Sequence, residues 1–429
     1  MSQKLSVGKS VIGALAVGVL VALAGCAPTP QSTPEPSAAP VTPTPDPYAG
    51  PIAFVGDELD WFLLSADEIA AMLPDVGEVS PAVSSLIQVS DGGGPEPVPA
   101  ICSALAAETS LGSIGARSVT WTTTAEEGSD GWLHVLQFAD EEAAKARMDQ
   151  YVDAAAQCVE FEFGGPATFA SSTAEGEGGI RALAGSLIIT YSTGGGYSVY
   201  TSYVSVGNVI VEVWQPFTGE PAFDTEAAAA LLRDRAEEAR RMLIDELTVN
   251  PPAPVETPAA ADPAAPWSAW EITPAGVGPV HLGVDLDEAI AAVPGARIQE
   301  SEWEGGPTRL IAADESASLL LETQEGGTLV SALTVGIANT AGDRADDAAA
   351  LPSAEGVKVG DPVSAAVAAF PEGTDLRIVS SGEYFYEWST REGVTLRFRL
   401  DRDSVGDDGA VITGITLEDA TLRNPLIFG

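Results

Sequence analysis

Cysteine, histidine and methionine are scarce in this chain: three, two and four respectively among 429 residues. No Cys-x-x-Cys pair occurs, and only His134 and His281 are available, which disfavours both a metal site and a thiol nucleophile. Basic residues are scarce too, 20 Lys and Arg against 62 Asp and Glu, for a net charge of -42. Such a field repels phosphate backbones and anionic lipid surfaces, which excludes nucleic-acid binding and leaves cationic or neutral partners. G-x-S-x-G is missing, and with it the strand-turn-helix nucleophile of serine hydrolases. The apolar run from Val11 to Leu23 falls short of the roughly 20 residues that a membrane-spanning helix needs.

What that run does fit is an export signal. Lys4 and Lys9 precede it, small residues Ala24 and Gly25 follow, and Cys26 comes next. The string Leu23-Ala24-Gly25-Cys26 resembles the bacterial lipobox, which implies cleavage after Gly25 and acyl chains on Cys26. At about 0.8 kcal/mol per buried methylene, two or three chains anchor a protein stably. The expectation is a lipoprotein on the extracytoplasmic face of the cell membrane. An uncleaved signal anchor would leave the same bulk outside, since the lysines stay inside.

Two segments rich in proline divide the mature chain. Residues 26–51 carry the lipid and a stalk that in polyproline conformation reaches about 70 Å. Residues 250–266 read as a semi-rigid spacer. Between and beyond them, 52–249 and 267–429 are each long enough for a core. With Cys26 acylated, Cys102 and Cys158 remain as an even pair in an oxidising compartment, which reads as a disulfide; two free buried thiols are the alternative.

The first region reads as α+β. Ser65 and Glu68 form a capping box before Ile69 and Met72. Strands are expected at Ser118 to Thr124, Gly131 to Phe138, Ser186 to Ser192, Gly196 to Val206 and Asn208 to Trp214, the last two turning through Gly207. Asp140 caps a helix with the stripe Ala144, Met148, Tyr151, Val152 and Ala155. A closing helix from about Thr225 to Leu247 should bury Ala228, Leu231, Leu232, Ala239, Met242 and Leu243, with Arg233 and Glu237 paired outside.

FLLSADEIAAML, an early cysteine, WLHVLQFADEEAAKARMDQYVDAAAQC, VGNVIVEVW and AAAALLRDRAEEARRMLIDEL follow one another in an order that resembles the extracellular sensor domain of mycobacterial serine/threonine kinases of the PknH type. The likeness spans about residues 61–247. It implies an antiparallel sheet flanked by helices, a disulfide between Cys102 and Cys158, and a cleft for an unidentified ligand. The chain departs from that pattern in having two cysteines where the family usually has four, and Ala155 where a tryptophan is common.

The second region contains a duplication. Gly283, Leu286, Ala289, Ile290 and Pro294 align with Gly360, Val363, Ala366, Val367 and Pro371 at a constant offset of 77, which also carries Leu319 to Leu396. Each unit, about 275–340 and 352–419, reads as a strand ending in glycine, a short helix closed by proline, and a meander. The layout resembles the units of the β-lactamase inhibitory protein and the BamE lipoprotein, which implies an interaction module.

Sites of chemistry are few. His134 alternates with Trp132 and Leu136 and reads as a satisfied, partly buried side chain; His281 reads as solvent-facing. The acidic run Asp401 to Gly409 has Val405 and Ile412 where a calcium loop needs an oxygen ligand and a glutamate, so a solvated hairpin tip is expected. Tyr191, Tyr197, Tyr200, Tyr203 and Trp214 are the candidates for lining a ligand cleft, with sheet packing as their alternative role. No catalytic residue, metal or cofactor is implied. The expected role is binding, by a non-enzymatic sensor-like module whose partners are the membrane and an unidentified envelope ligand or membrane protein. The rival readings are an envelope hydrolase or transferase that uses a carboxylate pair in the first-region cleft, and a passive spacer.

Overall fold

Period-two burial in one long meander organises the first region. The computed structural model describes residues 46–89, 97–124, 130–192, 194–252, 261–303, 305–340, 343–405 and 409–424. The leader, Cys26 and most of the stalk lie outside them, as do 253–260 of the spacer and 406–408 of the acidic run. In chain order come α1 (Ala66–Met72), β1 (Val76–Val79), β2 (Ser85–Gln88), β3 (Gly115–Thr123), β4 (Asp130–Gln137), α2 (Glu141–Gln157), β5 (Glu160–Glu162), β6 (Pro166–Glu175), β7 (Arg181–Thr190), β8 (Gly196–Val206), β9 (Val209–Pro216) and α3 (Thr225–Val249). Eight of the nine strands form an antiparallel sheet in the order β1-β3-β4-β9-β8-β7-β6-β5.

Local chemistry sets the helix starts. Ser65 Oγ accepts from the Glu68 N–H while Glu68 accepts from the Ser65 N–H, the reciprocal capping the sequence encodes. Asp140 and Asp224 cap α2 and α3 by accepting from Ala143 and Ala227. α3 packs Ala228, Leu232, Ala239 and Leu243 on one face of the sheet, with Phe54, Phe62, Trp121 and Tyr200. Two details of that helix differ from expectation. Met242 is 42% exposed, because the stripe follows Ala236, Ala239 and Leu243 and leaves 242 on the outer flank. Arg233 pairs with the adjacent Asp234, while Glu237 accepts from the Glu177 N–H.

α2 covers the opposite face with Ala144, Met148, Tyr151 and Ala155 buried. Cys158 ends it and is bonded to Cys102, both sulfurs lying in a cluster with Tyr151, Phe169, Leu187 and Tyr203. The β8–β9 turn is drawn tight against the chain's entry: Gly207 lies so close to Ile52 that a Cβ would stand 2.1 Å from its carbonyl oxygen. Asn208 beside it is fully buried, accepting from the Phe54 N–H and donating to the carbonyls of Phe54 and Phe138.

The second region carries the duplication into space. A small sheet of β10 (Ile272–Thr273), β11 (Gly276–Val277) and β12 (Val280–His281) precedes α4 (Leu286–Ala291), β13 (Arg297–Gln299), β14 (Thr308–Ile311), β15 (Ser318–Thr323) and β16 (Val330–Gly336). The second unit repeats the helix and meander as α5 (Val363–Ala369), β17 (Thr374–Ile378), β18 (Glu383–Ser389), β19 (Val394–Leu400) and β20 (Ile412–Asp419), but in place of the expected strand before Gly360 it has only an isolated bridge between Ala354 and Val357. The repeat glycines, Gly283 and Gly360, sit at φ of 71° and 98°, the left-handed turn expected of them. The units meet at β16 and β20, which pair antiparallel about Thr334 and Thr416, whose hydroxyl oxygens lie 2.9 Å apart. His281 is half-buried rather than fully solvent-facing, since β12 pairs with β11.

The larger sheet of this region has nine strands, in the order β13-β14-β15-β16-β20-β19-β18-β17-β2. Its last member comes from the first region: β2 runs parallel to β17, with Leu86 opposite Leu376. Leu86 and Leu376 share an apolar cluster with Phe385, Ala116, Leu136, Phe138 and Ile210. Residues 46–424 therefore include two α+β sheets joined through one borrowed strand and a common core.

The face of this second sheet that turns toward the first region carries ion pairs. Arg423 binds Glu418 through two parallel hydrogen bonds, and Arg397 binds Glu387 at 2.9 Å. Burial alone would push the Glu418 carboxyl up; the guanidinium of Arg423, with Arg397 beyond it, outweighs that and holds it below the usual range. A depressed carboxyl stabilises the fold above its unfolded-state value and loses that contribution as pH falls through the folded one. Arg423→Met should thus lower stability by about 1–2 kcal/mol at pH 7, as for a half-buried ion pair. Urea unfolding at pH 7 and pH 3 checks this: the gap between variant and wild type should close in acid, and a gap that persists would assign the loss to packing.

Candidate functional site

The face of the first sheet on which α2 lies gathers the region's unusual polar chemistry. Alternation along β9 aims Ile210, Glu212 and Trp214 to that side, and along β4 it aims Trp132, His134 and Leu136 there. Register then does the rest. Trp132 stands opposite Trp214, His134 opposite Glu212, and Tyr203 of β8 opposite Glu212 from the other side. Four rings line up across three strands: Tyr197 beside Trp214 at 6.3 Å, Trp214 stacked on Trp132 at 3.9 Å, and Trp132 on His134 at 5.7 Å. All four are half-buried, so their edges reach solvent.

Glu212 lies beneath this row, nearly buried. An ionised carboxylate at such depth requires donors on both oxygens. Thr109 donates to Oε1 at 2.8 Å, Trp132 Nε1 donates to Oε2 at 3.4 Å, and His134 Nδ1 lies 3.5 Å from the same oxygen. Tyr151 of α2 donates in turn to the Thr109 hydroxyl and stacks on Tyr203, with ring centres 4.1 Å apart. The Trp214 indole N–H donates to the Tyr197 hydroxyl. Burial pushes the Tyr197 phenol up to about 12, the indole donation offsetting only part of it. The phenol therefore stays protonated at neutral pH.

The five aromatic residues singled out in the sequence separate into three settings. Tyr197 and Trp214 belong to the row, and Tyr203 lies fully buried under it. Tyr200 points the other way, stacked on Phe217 and accepting from the Ala222 N–H, so it is a core residue of the α3 face. Tyr191 stands beyond the end of β7, 37% exposed at the β7–β8 turn. Sequence reasoning missed Glu212 and Trp132. The signal for Glu212 was a lone acid inside VIVEVW, two residues from Trp214 and so on the same face.

Chemically the row offers aromatic edges and the protonated Tyr197 hydroxyl as a donor, with the Glu212 carboxyl group set beneath them. Those features suit a ligand that is neutral or cationic, with an apolar surface to lie on the rings.

No protein-family model matches the chain, and no curated protein matches it. Among solved structures, the extracellular domain of PknH from Mycobacterium tuberculosis aligns over 47% of this chain and 100% of its own length, with 13% identity and a TM-score of 0.29. An uncharacterized protein from Mycobacterium smegmatis aligns over 43% of this chain and 97% of its own, with 17% identity and a TM-score of 0.25.

Proposed function

We propose that the protein is a lipid-anchored, extracytoplasmic and non-enzymatic binding protein whose first region presents a sensor-like ligand surface. The observation that carries this reading is the half-buried row Tyr197, Trp214, Trp132 and His134 above Glu212. A core position needs no carboxylate, and a solvated acid needs no ring stack over it. The lipobox-like leader supports the location, and the PknH-like order of parts supports the sensor comparison. The duplicated region serves a second contact in this scheme, and signalling across the membrane requires a separate spanning partner. The hydrolase reading needs two carboxyl groups facing each other; Glu212 is instead met by a hydroxyl, an indole and an imidazole.

A photo-crosslinking amino acid in place of the exposed Tyr191, in intact cells, tests the proposal. The expected result is a discrete adduct whose yield drops at least fivefold when Trp214→Ala removes the centre of the row. No adduct, or one indifferent to Trp214→Ala, would assign the aromatics to sheet packing.

A further inference from the structure

A cavity of about 320 Å³ lies where the two regions meet, and its lining residue Gln137 alternates to the opposite face of β4 from Trp132 and His134 of the aromatic row. Leu59 and Ile114 wall it from the first region, and Trp388 and Ser389 from the second. Gln137 projects into it from the end of β4 and is 1% exposed. Its side-chain oxygen accepts from the Ser389 hydroxyl at 3.0 Å, while its Nε2 has no hydrogen-bond partner. A buried amide donor without an acceptor costs about 1–3 kcal/mol, and native proteins rarely leave one so.

The charges around the cavity narrow what fits. Arg391 is already clamped by Glu58, through Nη2 at 2.6 Å and Nη1 at 3.0 Å, and donates to the Ala53 carbonyl as well. Arg397 is held by Glu387, whose carboxylate is itself nearly buried. Neither cation is free to hold an anion. Glu372 adds a carboxylate that meets no basic side chain among the described residues. It does so from a left-handed backbone, φ 69°, where the equivalent residue of the first repeat is Gly295 at φ 92°. An L-residue in that conformation costs about 1 kcal/mol or more over glycine, so the second repeat has departed from its twin to put a carboxylate at this rim.

We propose that this cavity is a binding site for a small uncharged polyol, about the size of one sugar ring. A hydroxyl group can accept from Gln137 Nε2 and donate to Glu372 without bringing a charge into the cavity. The Trp388 indole supplies an apolar wall for the ring's carbon face. Because both regions build the walls, occupancy strengthens the joint between them.

Calorimetric titration of the full mature chain tests this, with glucose, N-acetylglucosamine and myo-inositol as neutral probes and pyruvate and putrescine as charged ones. At least one neutral probe should bind and neither charged one. Gln137→Leu should weaken that binding about tenfold, the value of one buried hydrogen bond. Ser389→Ala, which removes only a hydroxyl, should weaken it severalfold and serves if Gln137→Leu does not fold. Trp214→Ala should leave it unchanged, which separates this cavity from the aromatic row. Failure of all three neutral probes to bind, preference for a charged probe, or indifference to both cavity variants would overturn the assignment.

Discussion

Replacing Cys102 and Cys158 together by serine should lower the free energy of unfolding by about 4 kcal/mol, the chain-entropy value for cross-linking residues 56 apart. The bond joins the end of α2 to the turn at 100–105, and both residues are fully buried among Tyr151, Phe161 and Tyr203. Each serine also places a hydroxyl where sulfur met apolar neighbours, which adds to the loss. Urea unfolding followed by tryptophan fluorescence measures it, with Trp132 and Trp214 near the affected helix. Because neither sulfur reaches solvent, dithiothreitol should act on the wild type only after unfolding begins. A double variant with the wild-type midpoint would show that α2 is held by packing alone.

Asn208→Ala is the second large effect. One amide closes three backbone groups: the N–H and C=O of Phe54 and the C=O of Phe138, at 2.7, 3.2 and 3.1 Å. Truncation leaves all three buried and unpaired, and it loosens Phe54, whose ring packs edge-on against Phe62 at 4.8 Å. The expected cost is about 3 kcal/mol or more. Asn208→Asp is the informative companion. It keeps the acceptor for the Phe54 N–H but turns both donations into repulsion, so it should be at least as destabilising as alanine. If the aspartate variant were close to wild type, the two carbonyl contacts would contribute little.

Much of this fold is written locally. The Ser65–Glu68 box, the Asp140 and Asp224 caps and the alternation of WLHVLQF and VIVEVW mark elements that form where their residues say. The repeat was legible for the same reason, as glycine, helix and proline recur in both units. Four strands of the first region were not legible, the three-residue β5 among them. β6, PATFASSTAE, is small and polar, and becomes a strand because nine of its residues find partners on β7. β1 is four half-exposed or exposed residues. β2 has no flanking signal at all, and depends on an edge supplied by residues 374–378.

At the site, the sequence grouped Tyr197, Tyr200 and Tyr203 by proximity, although 197 and 203 share parity and 200 does not. Period two sends Tyr200 to the α3 face. Glu212 and His134 are 78 residues apart in the chain, and only the β4–β9 register brings them together. No local pattern encodes such a pairing.

β2 also fixes a timetable. The strand it pairs with is made almost three hundred residues later, so a chain emerging amino-terminus first leaves that edge of β2 unpaired, and Leu86 without Leu376 and Phe385, until nearly all of it has been made. The contact order is high, and the last assembly step is the one that closes the joint. By the same logic, a protease cut between 250 and 266 would yield two fragments that still migrate as one particle.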